Sequence, residues 1–248
     1  MSEYSALYKY YDFLMRDYPY GKLCAYAKDK LALYGQAASG FELACGTGRF
    51  TAELSEAGYT MTASDISEDM LNLASERLRA SKIKAVFLKQ DINKLEISKR
   101  FDFAVSFTDG FNYISSLKNF DRTLGALNAS IKDGGALIFD MSTLFKARNI
   151  LSDKLYFEDR EELTLFWRNS KISKRGKIEM SLTFFERESG GYVRYDESNE
   201  QYFYQKDDID ALLQKNGFRA EFCDGGSLGR LKQSSERMLV FAKKINGV

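Results

Sequence analysis

Histidine is absent from the 248 residues of this chain. That absence removes every Ser-His or Cys-His relay, every histidine-ligated metal site and any histidine general base. Proline occurs once, as Pro19, so any motif that needs a proline elsewhere is excluded. The three cysteines, Cys24, Cys45 and Cys223, are odd in number and far apart. They make no metal-ligand spacing and fit reduced thiols. Neither sign of charge dominates: the formal net charge is +1, and no long basic run occurs. Bulk electrostatics therefore gives no argument for nucleic acid or a membrane as partner. No apolar run is long enough to span a bilayer, and the polar, tyrosine-rich first 20 residues do not read as a signal peptide. The expectation is a cytoplasmic protein of one domain with an elaboration, large enough to bury a proper core.

What is present centres on Phe41-Glu42-Leu43-Ala44-Cys45-Gly46-Thr47-Gly48-Arg49-Phe50. Residues 41–44 read as the end of a first parallel strand. Gly46 and Gly48 permit a sharp turn and a close backbone approach to a ligand. A helix follows, with Phe50 and Leu54 one turn apart on one face, ending near Gly58. Its first turn offers unpaired N–H groups and a partial positive charge. A second strand, residues 60–64, ends at Asp65, whose carboxylate can accept two hydrogen bonds from a ribose diol. This is the way a doubly wound α/β sheet builds a pocket for an adenosine-bearing cofactor.

The dinucleotide fingerprint wants Gly or Ala where this chain has Thr51. Glu42, four residues before Gly46, is a poor neighbour for a pyrophosphate and a good one for an ammonium, directly or through water. Electrostatics favours a zwitterionic amino-acid cofactor, S-adenosylmethionine (SAM), over a dinucleotide.

Glu42-x-Ala44-x-Gly46-x-Gly48 resembles the first motif of class I SAM-dependent methyltransferases, with Ala44 where the first glycine usually stands. Further matches follow in order. Asp65-Ile66 resembles the ribose-binding acid, and Gln90-Asp91-Ile92 the adenine-side acid. Phe101-Asp102-Phe103-Ala104-Val105 resembles the fourth strand, and Lys132-Asp133-Gly134-Gly135 the turn into the fifth. Tyr11-Asp12 matches a Tyr-Asp pair in an N-terminal lid of small-molecule members; a ring near the sulfonium would attract it, by ~0.5–2 kcal/mol. Met70 lies near where the family lays apolar residues on the adenine. The resemblance implies SAM as cofactor and S-adenosylhomocysteine as product. Its expected contacts are Tyr11, Glu42, Ala44, Cys45, Gly46, Gly48, Asp65, Ile66, Met70, Asp91, Ile92 and Phe107. Cys45 suits a small buried residue better than a nucleophile.

Elsewhere the periodicity is plain. A helix from Lys22 carries Leu23, Ala27 and Leu31 on one face and stops at Gly35; Tyr4 and its neighbouring tyrosines precede it. Ser67 is a candidate N-cap. Leu117, Phe120, Leu124, Leu127 and Ile131 form one buried helix face. Between Tyr156 and Tyr204 apolar residues alternate, with turns at Ser173-Lys174-Arg175-Gly176 and Ser189-Gly190-Gly191. That is an antiparallel meander inserted after the fifth strand. A helix then begins near Asp207 and ends at Gly217, and two final strands follow. The expected architecture is thus a doubly wound seven-stranded Rossmann-like sheet with an N-terminal helical lid (1–35), a cofactor-binding core (36–150), an antiparallel insert (151–205) and a C-terminal helix with two strands (206–248).

Ligands of open α/β sheets sit beyond the carboxyl ends of the strands. The fourth strand is expected to end at Phe107, so Thr108, Asp109, Asn112 and Tyr113 overhang the methyl group. The insert would roof the same space and offer Trp167, Arg194, Tyr202 and Tyr204. Asp109 and Tyr113 are the candidates for orienting the nucleophile, and Asn112 and the insert residues those for binding the acceptor. The single proline excludes the Asn/Asp-Pro-Pro-aromatic and Pro-Cys motifs of nucleobase and amide methyltransferases; residues 106–109 read Ser-Phe-Thr-Asp instead. Many look-alikes keep a histidine near the end of the insert, which this chain lacks. The expected acceptor is a nitrogen or oxygen of a small molecule. RNA or protein methylation, a non-catalytic SAM-binding role and, most weakly, a nicotinamide-dependent oxidoreductase are the alternatives. A Lys171-Lys174-Arg175-Lys177 cluster speaks for an acidic macromolecule, or reads as a solvated hairpin tip. An exposed meander edge would let two copies pair.

Overall fold

The computed structural model describes residues 7–33 and 37–245. Tyr4 and the expected helix stop at Gly35 lie outside them. Two helices open the described chain, α1 (Leu7–Leu14) and α2 (Tyr20–Ala32). Alternating strands and helices follow: β1 (Ser39–Leu43), α3 (Arg49–Glu56), β2 (Thr60–Asp65), α4 (Glu68–Ala80), β3 (Ala85–Lys89), β4 (Phe101–Ser106), α5 (Leu117–Ser130) and β5 (Ile131–Ser142). After a short α6 (Leu144–Lys146) and a wide helical turn over Ala147–Leu151 come β6 (Leu155–Asp159), β7 (Leu163–Asn169), β8 (Lys177–Glu188) and β9 (Gly191–Tyr202). The chain returns to the main sheet through α7 (Lys206–Lys215), β10 (Phe218–Asp224) and β11 (Arg237–Lys244).

The main sheet has the order β3-β2-β1-β4-β5-β11-β10. All neighbouring pairs are parallel except those made by β11, which runs against both β5 and β10. Strand order reverses between β1 and β4, and the carboxyl ends of these two strands flank the crevice where such sheets take ligands. Both faces are covered. Phe120, Leu124 and Leu127 of α5 pack with Ile209 and Leu213 of α7 against Phe41 and Leu43 on one face. Leu23 and Ala27 of α2 and Phe50 and Leu54 of α3 pack against Phe103 and Val105 on the other. Each such fully buried side chain contributes about 1.5–3 kcal/mol of transfer free energy. Burial on two sides is why β4 is apolar from Phe103 to Val105, past the half-buried Asp102 near its start.

Three details differ from the sequence reading. Leu117 is 40% exposed, because it opens α5 ahead of the buried stripe, and Ile131, expected on the same helix face, is instead the first residue of β5. Residues 132–135, expected as a turn, belong to β5, which is bent there around Gly134 at φ +76° and shifts its register with β4.

Strands β6 to β9 form a separate antiparallel sheet. One face of it is apolar and covered. Leu163, Leu165, Leu182 and Phe184 receive Leu7, Tyr10 and Leu14 of α1, while Ile178, Met180 and Phe203 pack on Ala147. The N-terminal helix is thereby held between the insert and the main sheet. Among the described residues no helix is long and apolar enough to cross a membrane.

Candidate active site

The loop after β1 is built from alternating left-handed residues: Ala44 at φ +50°, Gly46 at +54° and Gly48 at +73°. Only glycine adopts this region without steric cost, and Ala44 adopts it with its methyl group facing the Gly110 backbone. Gly48 caps α3 from the left-handed region. A Cβ there would stand 2.7 Å from Cβ of Ala74, so Gly48 lets α3 pack on α4 and does not line the cavity, contrary to its expected role as a ligand contact. A Cβ on Gly46 would instead point at the Tyr11 ring, 3.7 Å away, across the space a ligand would enter.

Asp65 ends β2 beneath this loop. Its Oδ2 accepts from the Gly46 amide and its Oδ1 from the Ser67 amide, both at 2.9 Å. Burial pushes its carboxyl up from the ordinary range, and those amide donors pull against it. The two amides fix the plane of the carboxylate and leave a lone pair on each oxygen for a diol. Glu42 lies deeper. It is 2% exposed, accepts a hydrogen bond from the Thr51 hydroxyl, and is pushed up to about 8 by burial. It sits under the cavity rather than on its wall, as does the buried Cys45.

The other wall comes from the end of β3. Asp91 accepts from the backbone of Asn93, 2.8 Å away, and so caps the 3₁₀ turn Ile92–Lys94. Asn93, which the sequence reading passed over, accepts from the Ser115 amide at 2.9 Å and donates to the Tyr113 carbonyl at 3.0 Å. It ties this turn to the loop after β4. Its signal is an Asx-type spacing, Asp91-x-Asn93, that sequence alone gives no reason to prefer. Ile66 and Met70 line the same wall.

The lid is α1. The Tyr11 hydroxyl donates to Oγ1 of Thr108 at 3.3 Å. Asp12 accepts from the Thr47 hydroxyl at 2.6 Å and pairs with Arg77 of α4, whose Nε donates to the Thr47 carbonyl at 2.8 Å. The Tyr-Asp pair therefore latches α1 onto the cofactor loop.

Beyond β4 the chain turns through two consecutive left-handed residues, Thr108 at φ +60° and Asp109 at φ +67°. Thr108 faces the cavity; the Asp109 carboxylate does not. It forms a two-pronged pair with Arg237, at 2.7 and 2.9 Å, and Arg237 also reaches Asp140 at 2.6 Å. Burial alone pushes Asp109 up, and the guanidinium overcomes it and holds the carboxyl below the ordinary range. Asn112 is likewise structural: its amide donates to the Ser142 and Tyr202 carbonyls and accepts from the Ser142 amide. Phe107 stacks on Phe50 at 4.2 Å inside the core. Tyr113 does line the cavity, and burial pushes its hydroxyl up to about 12.

The insert divides the same way. Trp167 donates to Asn169 at 2.7 Å and packs between the insert's two apolar clusters. Arg194 is exposed and paired with Asp196. Tyr204 donates to the Ile114 carbonyl and borders a neighbouring groove. These three do not reach the cavity; Tyr202 does. The insert residues that meet it, besides Tyr202, are Ser198, Asn199 and Glu200, which sequence reasoning missed because a polar run on a half-buried strand reads as a solvated face.

The cavity so enclosed measures about 450 Å³ and runs from Asp65, Ile66 and Asp91 past Gly46 and Tyr11 to Thr108, Tyr113 and Asn199. Diol acceptors at one end, apolar side chains beside them and a buried acid under the glycine loop suit an adenosine joined to an amino acid.

Comparison with known proteins decides the matter. Residues 41–135 match the family described as "Methyltransferase domain". The protein named "Putative methyltransferase GWCH70_2453", of Geobacillus sp. (strain WCH70), is 30% identical over 97% of this chain and 99% of its own length. This chain belongs to the class I SAM-dependent methyltransferases. A crystal structure of a SAM-dependent methyltransferase from Clostridium acetobutylicum ATCC 824 matches the methyltransferase fold with a TM-score of 0.87, at 26% identity and 96% coverage of both chains. The fold is also that of the sugar N-methyltransferase KedS8 from Streptoalloteichus sp ATCC 53650, with a TM-score of 0.78, 17% identity, and 94% of this methyltransferase and 91% of KedS8 covered. The enzyme takes SAM as cofactor.

Proposed function

We propose that this methyltransferase acts on a nitrogen or oxygen of a small polar acceptor held between the loop after β4 and the buried face of the insert. One observation among the described residues carries the reading. Asn199 is 8% exposed, lines the cavity, and its amide nitrogen has no hydrogen-bond partner among the described residues. A buried donor left unpaired costs about 1–3 kcal/mol, a penalty that an acceptor oxygen or nitrogen placed there would relieve. The fold shared with a sugar N-methyltransferase is compatible with such an acceptor.

In this reading Asp65 takes the ribose diol, Asp91 and Ile92 meet the adenine, Ile66 and Met70 lie on its faces, and Ala44 and Gly46 present their backbone. Glu42 balances the ammonium from below, and Tyr11 covers the sulfonium. Bound SAM supplies an activated methyl group on sulfur. The protein's part is to place the acceptor in line with it, and positioning can supply roughly 7–11 kcal/mol. Asp109 is committed to Arg237, which leaves Thr108 and Tyr113 to orient the nucleophile. Tyr113, pushed up to about 12, acts as a neutral hydrogen-bonding phenol. Glu200, at the rim, is held below its ordinary range by Tyr202 and Lys177. With Asp65 and Asp91 given to the cofactor, no acid on the described wall is poised as a base near neutral pH. That favours an amine, which sheds its proton to water before docking, over a hydroxyl.

The test is calorimetric titration with SAM, S-adenosylhomocysteine and NADH, followed by methyl transfer from labelled SAM to a panel of amines and alcohols. Binding of the first two without NADH, turnover on a small amine, and a raised KM with unchanged SAM affinity for Asn199→Ala are the expected results. Turnover confined to RNA or protein would overturn the reading.

A further inference from the structure

The basic cluster of the β7–β8 hairpin is solvent-exposed at Lys171, Lys174 and Arg175, and part of it borders a groove. Lys174 and Arg175 line a second groove of about 960 Å³ together with Arg148 from the turn after α6. Ser115 and Tyr202 line both this groove and the cofactor cavity, so the two adjoin. Arg148, Lys174 and Arg175 make no ion pair among the described residues. Their neighbour Lys177 is different: it is bound to Glu179 at 2.6 Å and to Glu200 at 2.9 Å. Asp208 is the one carboxylate among the described residues lining the groove. In a chain of net charge +1, three uncommitted cations in one concave place are a local arrangement, not a reflection of composition.

We propose that this groove binds a phosphate group carried by the methyl acceptor. Cations walling a cleft with apolar flanks focus the potential on its interior. Two guanidinium groups offer the planar fork that matches a phosphate, and an ammonium adds a point charge. A carboxylate would use one of the three; a phosphate monoester or diphosphate uses all. The proposed site of transfer lies on the other side of Ser115 and Tyr202, so the acceptor is elongated, with its nucleophile near Asn199 and its phosphate in the groove. With a net charge of +1 and no long basic run, the chain fits a small phosphorylated molecule better than a polynucleotide. The inference rests on the acceptor site proposed above and names its substrate class.

The experiment titrates the full chain, with SAM present and absent, against inorganic pyrophosphate and against a short single-stranded RNA at one salt concentration. It compares wild type with the triple variant Arg148→Glu/Lys174→Glu/Arg175→Glu and with Lys171→Glu, which lies outside the groove. Pyrophosphate is expected to bind wild type and Lys171→Glu alike and to lose at least about tenfold in affinity in the triple variant, with SAM affinity unchanged in all three. Equal pyrophosphate binding by the triple variant, or no binding by wild type, overturns the groove. RNA binding at least about tenfold tighter than pyrophosphate, and lost in the triple variant, overturns the small-molecule class. Failure of SAM to bind wild type would strike the cofactor assignment and leave the anion result standing separately.

Discussion

Asp109 and Arg237 stand 128 residues apart in sequence and meet as a two-pronged ion pair behind the active-site loop. The pair explains a local oddity. Thr108 and Asp109 are both left-handed without being glycine, a conformation that costs about 1–3 kcal/mol at each position and needs outside support. Arg237 gives that support from β11, assisted by Asp140, which accepts from the Asp109 amide at 3.0 Å. Tyr18 completes the network: it donates to Asp140 and accepts from the Thr108 amide at 3.2 Å. Thr108 is thereby aimed into the cavity by groups that never touch it.

Arg237→Ala would strand two buried carboxylates, a loss of about 3–5 kcal/mol. Arg237→Lys keeps the charge, loses the fork and is expected to fall between. Denaturant unfolding reads both. A cost below about 1 kcal/mol for the alanine variant would mean that the network is solvated and does not hold the loop.

Ala44→Gly should stabilise the protein by roughly 0.5–1 kcal/mol, because glycine removes the left-handed penalty at φ +50° that exceeds its own entropic cost. Gly48→Ala should do the reverse by more than 1 kcal/mol, since it combines φ +73° with a contact 2.7 Å from the Ala74 Cβ. Thermal midpoints of the two variants, measured side by side, check the opposite signs.

Much of this was legible in the sequence. The β1–turn–α3 unit, Asp65, the Ser67 cap and the meander follow from local patterns: apolar runs ended by glycine, a strand-end acid, strict alternation. Long-range commitments were not. Asp109 reads as a residue that orients the nucleophile until β11 delivers Arg237 to it. Asn112 reads as a substrate contact until the Ser142 and Tyr202 carbonyls take its amide. Trp167 and Arg194 lie on strands whose alternation was evident, but which face turns toward the cofactor depends on how the insert docks on α1. Asn199 was hidden for the same reason.

Glu42 is expected to tie cofactor binding to pH. Its carboxyl rises on folding from the ordinary 4.5 to about 8, chiefly through burial. The folded state therefore holds this proton more tightly than the unfolded chain. The stability so gained is complete below pH 4.5 and is lost as pH climbs toward 8, by an amount on the order of a few kcal/mol. An ammonium docked above Glu42 favours the ionised form, so SAM binding at pH 7 should expel about one proton. Calorimetry in two buffers of different ionisation enthalpy measures it. Glu42→Gln should abolish the difference and flatten stability between those pH values. Equal proton release in the variant would place the linkage elsewhere.

Asp12 and Arg77 test whether α1 is a lid or part of the core. Their pair is partly exposed, at 44% and 32% of each side chain, so its own worth is at most about 1 kcal/mol. Asp12→Asn removes the charge and keeps the acceptor for the Thr47 hydroxyl. If the pair latches α1 over the cofactor loop, that change should leave global unfolding almost untouched while speeding amide exchange in residues 7–14 and SAM dissociation, by up to about fivefold for 1 kcal/mol. If α1 is an integral layer of the core, exchange there would track global unfolding and the midpoint would fall together with SAM affinity. Leu7, Tyr10 and Leu14 pack on the insert and not on the main sheet. Opening the latch is therefore expected to let α1 and the insert move as one body, and dissociation to be the parameter that changes.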